Sequence, residues 1–467
     1  MEFDMLPVDS PSKRTRSIRF HARIAIVLAI WICTPLTVRA EPSPNAQPDP
    51  TPQIEQADNP PNATAGGQNA ESVTQKPQSW SKLISAIDDW GGVRPWLGER
   101  GITLDLQYSA DFLHNTYGGL DTTDAQVFRG LFNLSLTLDT EAMDLWDGGT
   151  FFINFQQIHG RDISEEYVGD IQALNNNDAP DRTQVAEYWY EQSFFDGKLR
   201  TKLGKMDANA DFAYVDYGLE FINSSAGLVP NIPMPTYPDG ALGAAVFIEP
   251  TDWFYAGAGV YDGQGVGSRW GFETAFHETD TSFTIFELGV RPVFEIAGRR
   301  LPGTYRAGGW YHSGSYEIIE QPRERQAPGA HLGNAGLYLG FDQLLFPENP
   351  DVEDDEQGLG AFFQFGYAPS AYNEITQYYG GGLQYTGLIP ARDADVIGLG
   401  LFHASLSGRL QSLEQRFSET AVELFYGFPL TPFFSLKPDL QYIVNPAGDG
   451  RDALVAGVRM EVLFEDR

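Results

Sequence analysis

The chain has 467 residues, 13% of them aromatic and 20% charged, with a formal net charge of −32. Such acidity excludes a nucleic-acid partner, because phosphate contacts need a basic surface. A mean hydropathy of −0.28, with no long apolar run after residue 40, excludes helical membrane spans but not a β-barrel, whose lumen-facing polar residues cancel its lipid-facing apolar ones in any average.

The first forty residues read as a secretory signal peptide. Lys13, Arg14, Arg16, Arg19 and Arg23 form a basic region before the short apolar run 24–32, and Val38-Arg39-Ala40 ends in a small-residue cleavage site. Residues 1–40 carry a charge of +3, so −32 becomes −35 without them. The single cysteine, Cys33, falls within that segment, which leaves the mature chain without a disulfide or thiol nucleophile. Residues 41–78 are rich in Pro, Asn, Gln, Ala and Asp and read as a disordered linker, too poor in apolar residues to form a core. Residues 79–100 read as a short amphipathic helix leading into the barrel. Ser79 can cap it, Trp80, Leu83, Ile84 and Ile87 share a face, and Gly91-Gly92 would stop it.

From residue 101 to 467 the pattern is a two-residue rhythm. Ile102, Leu104, Leu106, Tyr108, Ala110 and Phe112 alternate with Thr103, Asp105, Gln107, Ser109 and Asp111. Successive strand side chains point to opposite faces, so this segment has one apolar and one polar face. About sixteen such segments follow one another, at the length a tilted transmembrane strand needs. Short connections such as Phe195-Asp196-Gly197 alternate with longer ones such as 161–184 and 207–240. The acidic stretch Pro347–Gln357 groups with the longer ones. Aromatics near strand ends (Tyr188, Trp189, Tyr190, Trp253, Tyr255, Trp310, Tyr311, Tyr378, Tyr379, Phe433 and Phe434) suit girdles at the membrane interfaces. The fold class expected is all-β: a transmembrane antiparallel β-barrel of about sixteen strands with a short N-terminal helix.

No constellation argues for catalysis or a metal. The seven His lack ligand spacing. Asp207, Asn209 and Asp211 open like a calcium loop, but Phe212 stands where the required Gly belongs. Glu187 and Glu191 share a strand face about 13 Å apart, beyond the ~5–9.5 Å of a glycosidase pair. No cofactor is implied and the chain does not read as an enzyme. A charge on the lipid face costs up to ~2–4 kcal/mol at mid-membrane, so parity sends charged side chains inward. Sugars need hydrogen-bond partners for hydroxyls and aromatic faces for C–H groups. Arg129, Glu187, Trp189, Glu191, Arg200 and Arg306 are therefore the candidate solute-binding residues of a lumen constriction.

Four segments resemble the carbohydrate-selective porin family of the OprB type. They are Asp88–Leu120 with its D-W-G-G motif, Tyr190–Ala213, Tyr378–Pro390 and Glu419–Pro446. The resemblance implies a sixteen-stranded barrel in the outer membrane, reached by signal-directed export, that passes mono- and small oligosaccharides into the periplasm by passive diffusion. The partners implied are sugars as solutes and outer-membrane lipid. Sixteen-stranded porins are often homotrimers, and no sequence feature decides that state. Two alternatives remain: a general or cation-preferring diffusion porin, and a secreted soluble β-rich glycan-binding protein or enzyme.

Overall fold

A computed structural model describes residues 87–264, 281–319, 329–350, 352 and 357–464. The signal segment with Cys33, the linker 41–78 and the turn capped by Ser79 lie outside these residues, as do parts of the 263–282 and 347–357 connections. The described chain begins in a capped turn. Asp89 Oδ1 accepts from the Gly91 and Gly92 amides at 2.9 and 3.2 Å. Both glycines adopt positive φ, and a six-residue helix, Val93–Gly98, follows before the first strand.

Alternation along the sequence becomes strands. The first eight are β1 (Ile102–Tyr117), β2 (Gln126–Asp139), β3 (Gly149–Gly160), β4 (Arg182–Phe194), β5 (Leu199–Met206), β6 (Ala241–Thr251), β7 (Phe254–Asp262) and β8 (Ser282–Val290). A short β9 (Val293–Ile296) precedes β10 (Arg299–Glu317), β11 (Ala330–Pro347), β12 (Gly358–Tyr367) and β13 (Ile375–Thr386). The last four are β14 (Val396–Leu406), β15 (Ser418–Thr431), β16 (Phe434–Val444) and β17 (Ala453–Phe464). Neighbours pair antiparallel throughout, β8 pairs with β10, and β1 pairs with both β2 and β17. The sheet is thus a closed barrel of sixteen strands, with no free edge to aggregate. Among the described residues no helix is long and apolar enough to cross a membrane.

Two sequence expectations change. The segment expected as one strand over 283–295 breaks at Arg291-Pro292, and β9 folds back on β10 as a small hairpin outside the barrel wall. Pro292 has no N–H to give a ladder. The stretch Pro347–Gln357 joins β11 to β12 at the end that carries the chain termini, where the other connections are mostly short. In an antiparallel barrel every second connection must return to that end.

The outer wall is apolar. Phe155, Leu203, Phe286, Leu288, Leu337, Leu399 and Leu401 are among its exposed side chains. So continuous an apolar surface belongs against lipid, not water. Aromatics gather on this wall near the termini. Phe151 packs on Tyr190 and Trp146, and Phe464 lies between Phe433 and Trp90. The expected girdle is narrower than the sequence suggested. Trp310 and Tyr378 are buried on the inner side, and Trp189 and Tyr255 also face inward.

Candidate functional site

The lumen is filled at mid-height by two connections. One is residues 161–181, between β3 and β4; the other is residues 207–240, between β5 and β6. A backbone taken into a barrel must still satisfy its N–H groups. Inward carboxylates of the wall supply the acceptors. Glu187 on β4 accepts from the Asp207 amide at 3.1 Å, and Glu287 on β8 accepts from Ala213 at 3.0 Å. Asp342 on β11 accepts from Tyr217 at 3.0 Å. Glu423 on β15 accepts from Ile222 and Asn223 at 2.6 and 2.9 Å. These four pegs walk the 207–240 segment across the lumen from β5 to β15, and the chain then returns to β6. The 161–181 segment is held likewise. Glu419 on β15 accepts from Ile171 and Gln172 at 2.9 and 3.1 Å, and Arg459 on β17 donates to Asn175 and Asn176. The two segments also bond each other, Asn176 N to Ile222 O at 2.8 Å and Ser224 N to Ala173 O at 3.0 Å.

Apolar packing completes the attachment. Phe221 of the 207–240 segment makes edge contacts with Phe362, Phe402 and Phe425, all inward from β12, β14 and β15. Gly400 makes room: a Cβ there would sit 2.7 Å from the Phe221 ring.

The narrowed lumen holds distinct spaces. Between the two segments is a cavity of about 570 Å³ bordered by Asn176, Asn177, Asn209, Leu219 and Tyr237. On the terminal side of the 207–240 segment is a second, about 270 Å³, bordered by Arg200, Arg291, Arg306, Asp216, Tyr214 and Tyr255. Ala210 and Tyr214 border both, so this turn of chain is the partition between them. The facing wall offers an amide ladder: Asn133 to Gln107 at 3.3 Å, Gln156 to Asn133 at 3.1 Å, and Gln184 to Gln156 at 3.1 Å.

The six candidate residues divide. Arg200 donates to Glu191 at 2.9 Å, lies over the Phe247 ring and borders the smaller cavity together with Arg306. Arg200 and Glu191 are partly solvated, whereas Arg306 reaches the same cavity from a buried position. Arg306 is the most constrained of them. Its guanidinium donates to Asp342 at 2.6 Å and to Asp216 at 3.2 Å, and stacks 4.4 Å from the Tyr214 centroid. Trp189 is beside them but occupied: it stacks on Phe152, with Lys202 Nζ 4.2 Å from its centroid. Opposite it, Gly204 at φ 146° has no room for a side chain, since a Cβ would lie 2.3 Å from Tyr188 O. Glu187 is a peg, as described. Arg129 is buried under the 161–181 segment, paired with Asp178 at 3.0 Å and Asp181 at 3.2 Å. Burial pushes the Asp178 carboxyl up to about 8, with Asp162 adding to the rise and Arg129 opposing it.

Sequence reasoning missed several participants. A bulge between Val185 and Glu187 shifts parity on β4, so Gln184 and Arg182 also face inward. Arg182 makes a two-pronged contact with Asp239 at 2.6 and 3.0 Å. Tyr255 shares the inward parity of Gly257, Gly259 and Tyr261, a usable signal. Tyr214 and Asp216 sit in a non-periodic segment that offers none.

A closed barrel with a lumen narrowed by charged, amide and aromatic side chains is a channel. The family model of the carbohydrate-selective porin, OprB family, matches residues 129–464. The chain belongs to that family. It is similar to Porin B of Pseudomonas aeruginosa, 25% identical over 420 residues covering 81% of this chain and 91% of that protein. Its fold is similar to the high-pH structure of Pseudomonas putida OprB, with a TM-score of 0.72 at 24% identity over 80% of this chain and 97% of the other. The low-pH structure of the same protein gives 0.52 over the same shares. As a member of the family, the protein is a porin of the outer membrane that passes carbohydrates.

Proposed function

We propose that mono- and small oligosaccharides cross by passive diffusion through the partitioned lumen, with modest binding in the cavity bordered by Arg200 and Arg306. The observation that carries this reading is the alternation of cation and carboxylate around that cavity. Glu191–Arg200 and Glu249–Arg291 offer donors and acceptors side by side, and the exposed Asp216, held from behind by the buried Arg306, adds a further acceptor. A neutral polyol can bridge such a rim without leaving a net charge unpaired. Three aromatics, Phe247, Tyr214 and Tyr255, supply faces for sugar C–H groups. Binding must stay weak, because a conducting site has to release what it takes.

The acidic chain favours a second reading, a cation-preferring general porin. Planar-bilayer recording separates the two. Sugar-dependent reduction of ion current, with little effect from amino acids of similar size, is the expected result. Absence of sugar block together with a strong cation reversal potential in a salt gradient would establish the general porin.

A further inference from the structure

We propose that Tyr214 is the specificity-determining residue of the pore, an aromatic platform that favours ring-closed sugars over open-chain polyols of equal size. The inference rests on the sugar-binding reading of the lumen given above. Three observations lead to it.

The first is position. Tyr214 borders the cavity between the inserted segments and also the cavity on the terminal side. A solute moving from one to the other passes this side chain. The second is fixation. Ala213 N is held by Glu287 and Tyr217 N by Asp342, so the backbone is pegged one residue before the ring and three after it. Arg306 covers one face of the ring. Two carboxylates hold that guanidinium, so it does not swing away to fill the passage. An aromatic fixed in this manner loses little entropy when a solute arrives. The third is accessibility. Tyr214 is only half-buried, whereas Phe212, Ala213 and Val215 around it are fully buried. The fold covers these three neighbours and leaves the Tyr214 side chain partly bare.

The chemistry follows from shape. A pyranose presents a flat C–H face to an aromatic ring and its hydroxyls at the rim, within reach of the surrounding Arg and carboxylate groups. An open-chain hexitol has the same six carbons and six oxygens, with a sixth hydroxyl in place of the ring oxygen, but no rigid flat face. Size and hydrogen bonding alone would admit both equally, and stacking distinguishes them.

The test compares an aldohexose with a hexitol, using liposome swelling and sugar block of ion current, for wild type, Tyr214→Leu, Tyr214→Ala and Tyr214→Phe. Heat-modifiable migration confirms that each barrel is folded. Wild type should favour the hexose by roughly 3–10-fold, the scale of one well-formed aromatic contact. Tyr214→Leu keeps bulk without a ring and should bring the ratio to about one, as should Tyr214→Ala; Tyr214→Phe should restore the preference. A residue that only fills space would behave differently: Tyr214→Ala would raise the passage of both solutes alike. An unchanged ratio in Tyr214→Leu and Tyr214→Ala, with sugar block still present, would overturn this inference and leave the sugar-porin reading standing. A wild type with no sugar block at all would overturn both.

Discussion

The inner wall contains two populations of charge that look the same in sequence. Beneath the inserted segments, Arg306 and Asp342 are 3% and 5% exposed and Arg129 and Asp178 are each 2% exposed. Toward the terminal end, Arg200 and Glu191 retain 32% and 17% of their exposure, and Arg291 and Glu249 retain more. Both populations sit at inward parity on barrel strands. What separates them is whether a loop has folded over them. Covered carboxylates have become backbone acceptors and covered arginines their counter-ions, so they hold the constriction in shape. Uncovered pairs keep water, and their groups are the ones a passing solute can replace.

That division is broken most directly by truncating a covered cation. Arg306→Ala leaves the buried Asp342 carboxylate without its charge partner, a loss on the order of 3–5 kcal/mol, and takes away the cover of Tyr214. Thermal unfolding in detergent should show clear destabilisation, and single-channel conductance should become larger and noisier. A stable, quiet Arg306→Ala pore would erase the distinction between covered and uncovered charge. Glu287→Ala comes next. It removes one acceptor from three donors, the Ala213 amide and the Tyr255 and Tyr338 hydroxyls at 3.0, 2.7 and 2.9 Å, each orphan costing about 1–3 kcal/mol before water enters. Glu287→Gln retains an acceptor and should recover much of the stability. At the uncovered end, Arg200→Ala should cost only ~0.2–1 kcal/mol, as half-solvated pairs do, yet should weaken sugar block measurably. Opposite rankings of stability loss and sugar-block loss for Arg306→Ala and Arg200→Ala would sharpen the contrast. Equal rankings would remove it.

The barrel was readable because its signal is local. Alternation in segments such as Ile102–Phe112 records which face meets lipid, and the energy at stake forces the pattern. Coverage by loops is not local. Glu191 and Glu187 are four residues apart on the same face of β4; one pairs with Arg200 at the solvated end, and the other accepts a loop amide. Nothing in their spacing tells them apart, because the difference lies in residues 207–240, which have no period. Coverage also reverses the polarity rule. Phe362, Phe402 and Phe425 point into the lumen and are buried there, since the inserted Phe221 gives them an apolar partner. On β15 both faces are then rich in apolar side chains, and hydropathy alone does not say which is inside. The bulge at Val185–Glu187 is a place where parity itself misleads, and it hid Gln184 and Arg182.

The subtlest prediction concerns a covered carboxylate with no cation beside it. Asp170 lies in the 161–181 segment, partly buried, with Oδ2 accepting from Leu174 N at 2.9 Å. Burial, and then the negative charge of Glu419, push its carboxyl up to about 7. Glu419 is the peg for the neighbouring Ile171 and Gln172 amides, so ionising Asp170 places a second negative charge against the anchor of its own loop. The sign follows from proton counting. An unfolded Asp titrates near 3.9, so between about pH 4 and 7 the folded loop binds more protons than the free chain. Stability of the attachment therefore falls as pH rises across that window and levels off above it. Other carboxylates also titrate, so the useful quantity is the difference between wild type and Asp170→Asn, which keeps the acceptor for Leu174 and cannot ionise. Hydrogen exchange at Ile171 and Gln172 reads the attachment directly. The two proteins should exchange most nearly alike below about pH 4, and wild type should exchange progressively faster relative to the variant up to about pH 7, by up to about tenfold per pH unit across that window once intrinsic rates are divided out. Faster relative exchange in Asp170→Asn at pH 8 would mean that the ionised carboxylate strengthens the loop, and that covered acids here act through an attraction that the surrounding groups do not supply.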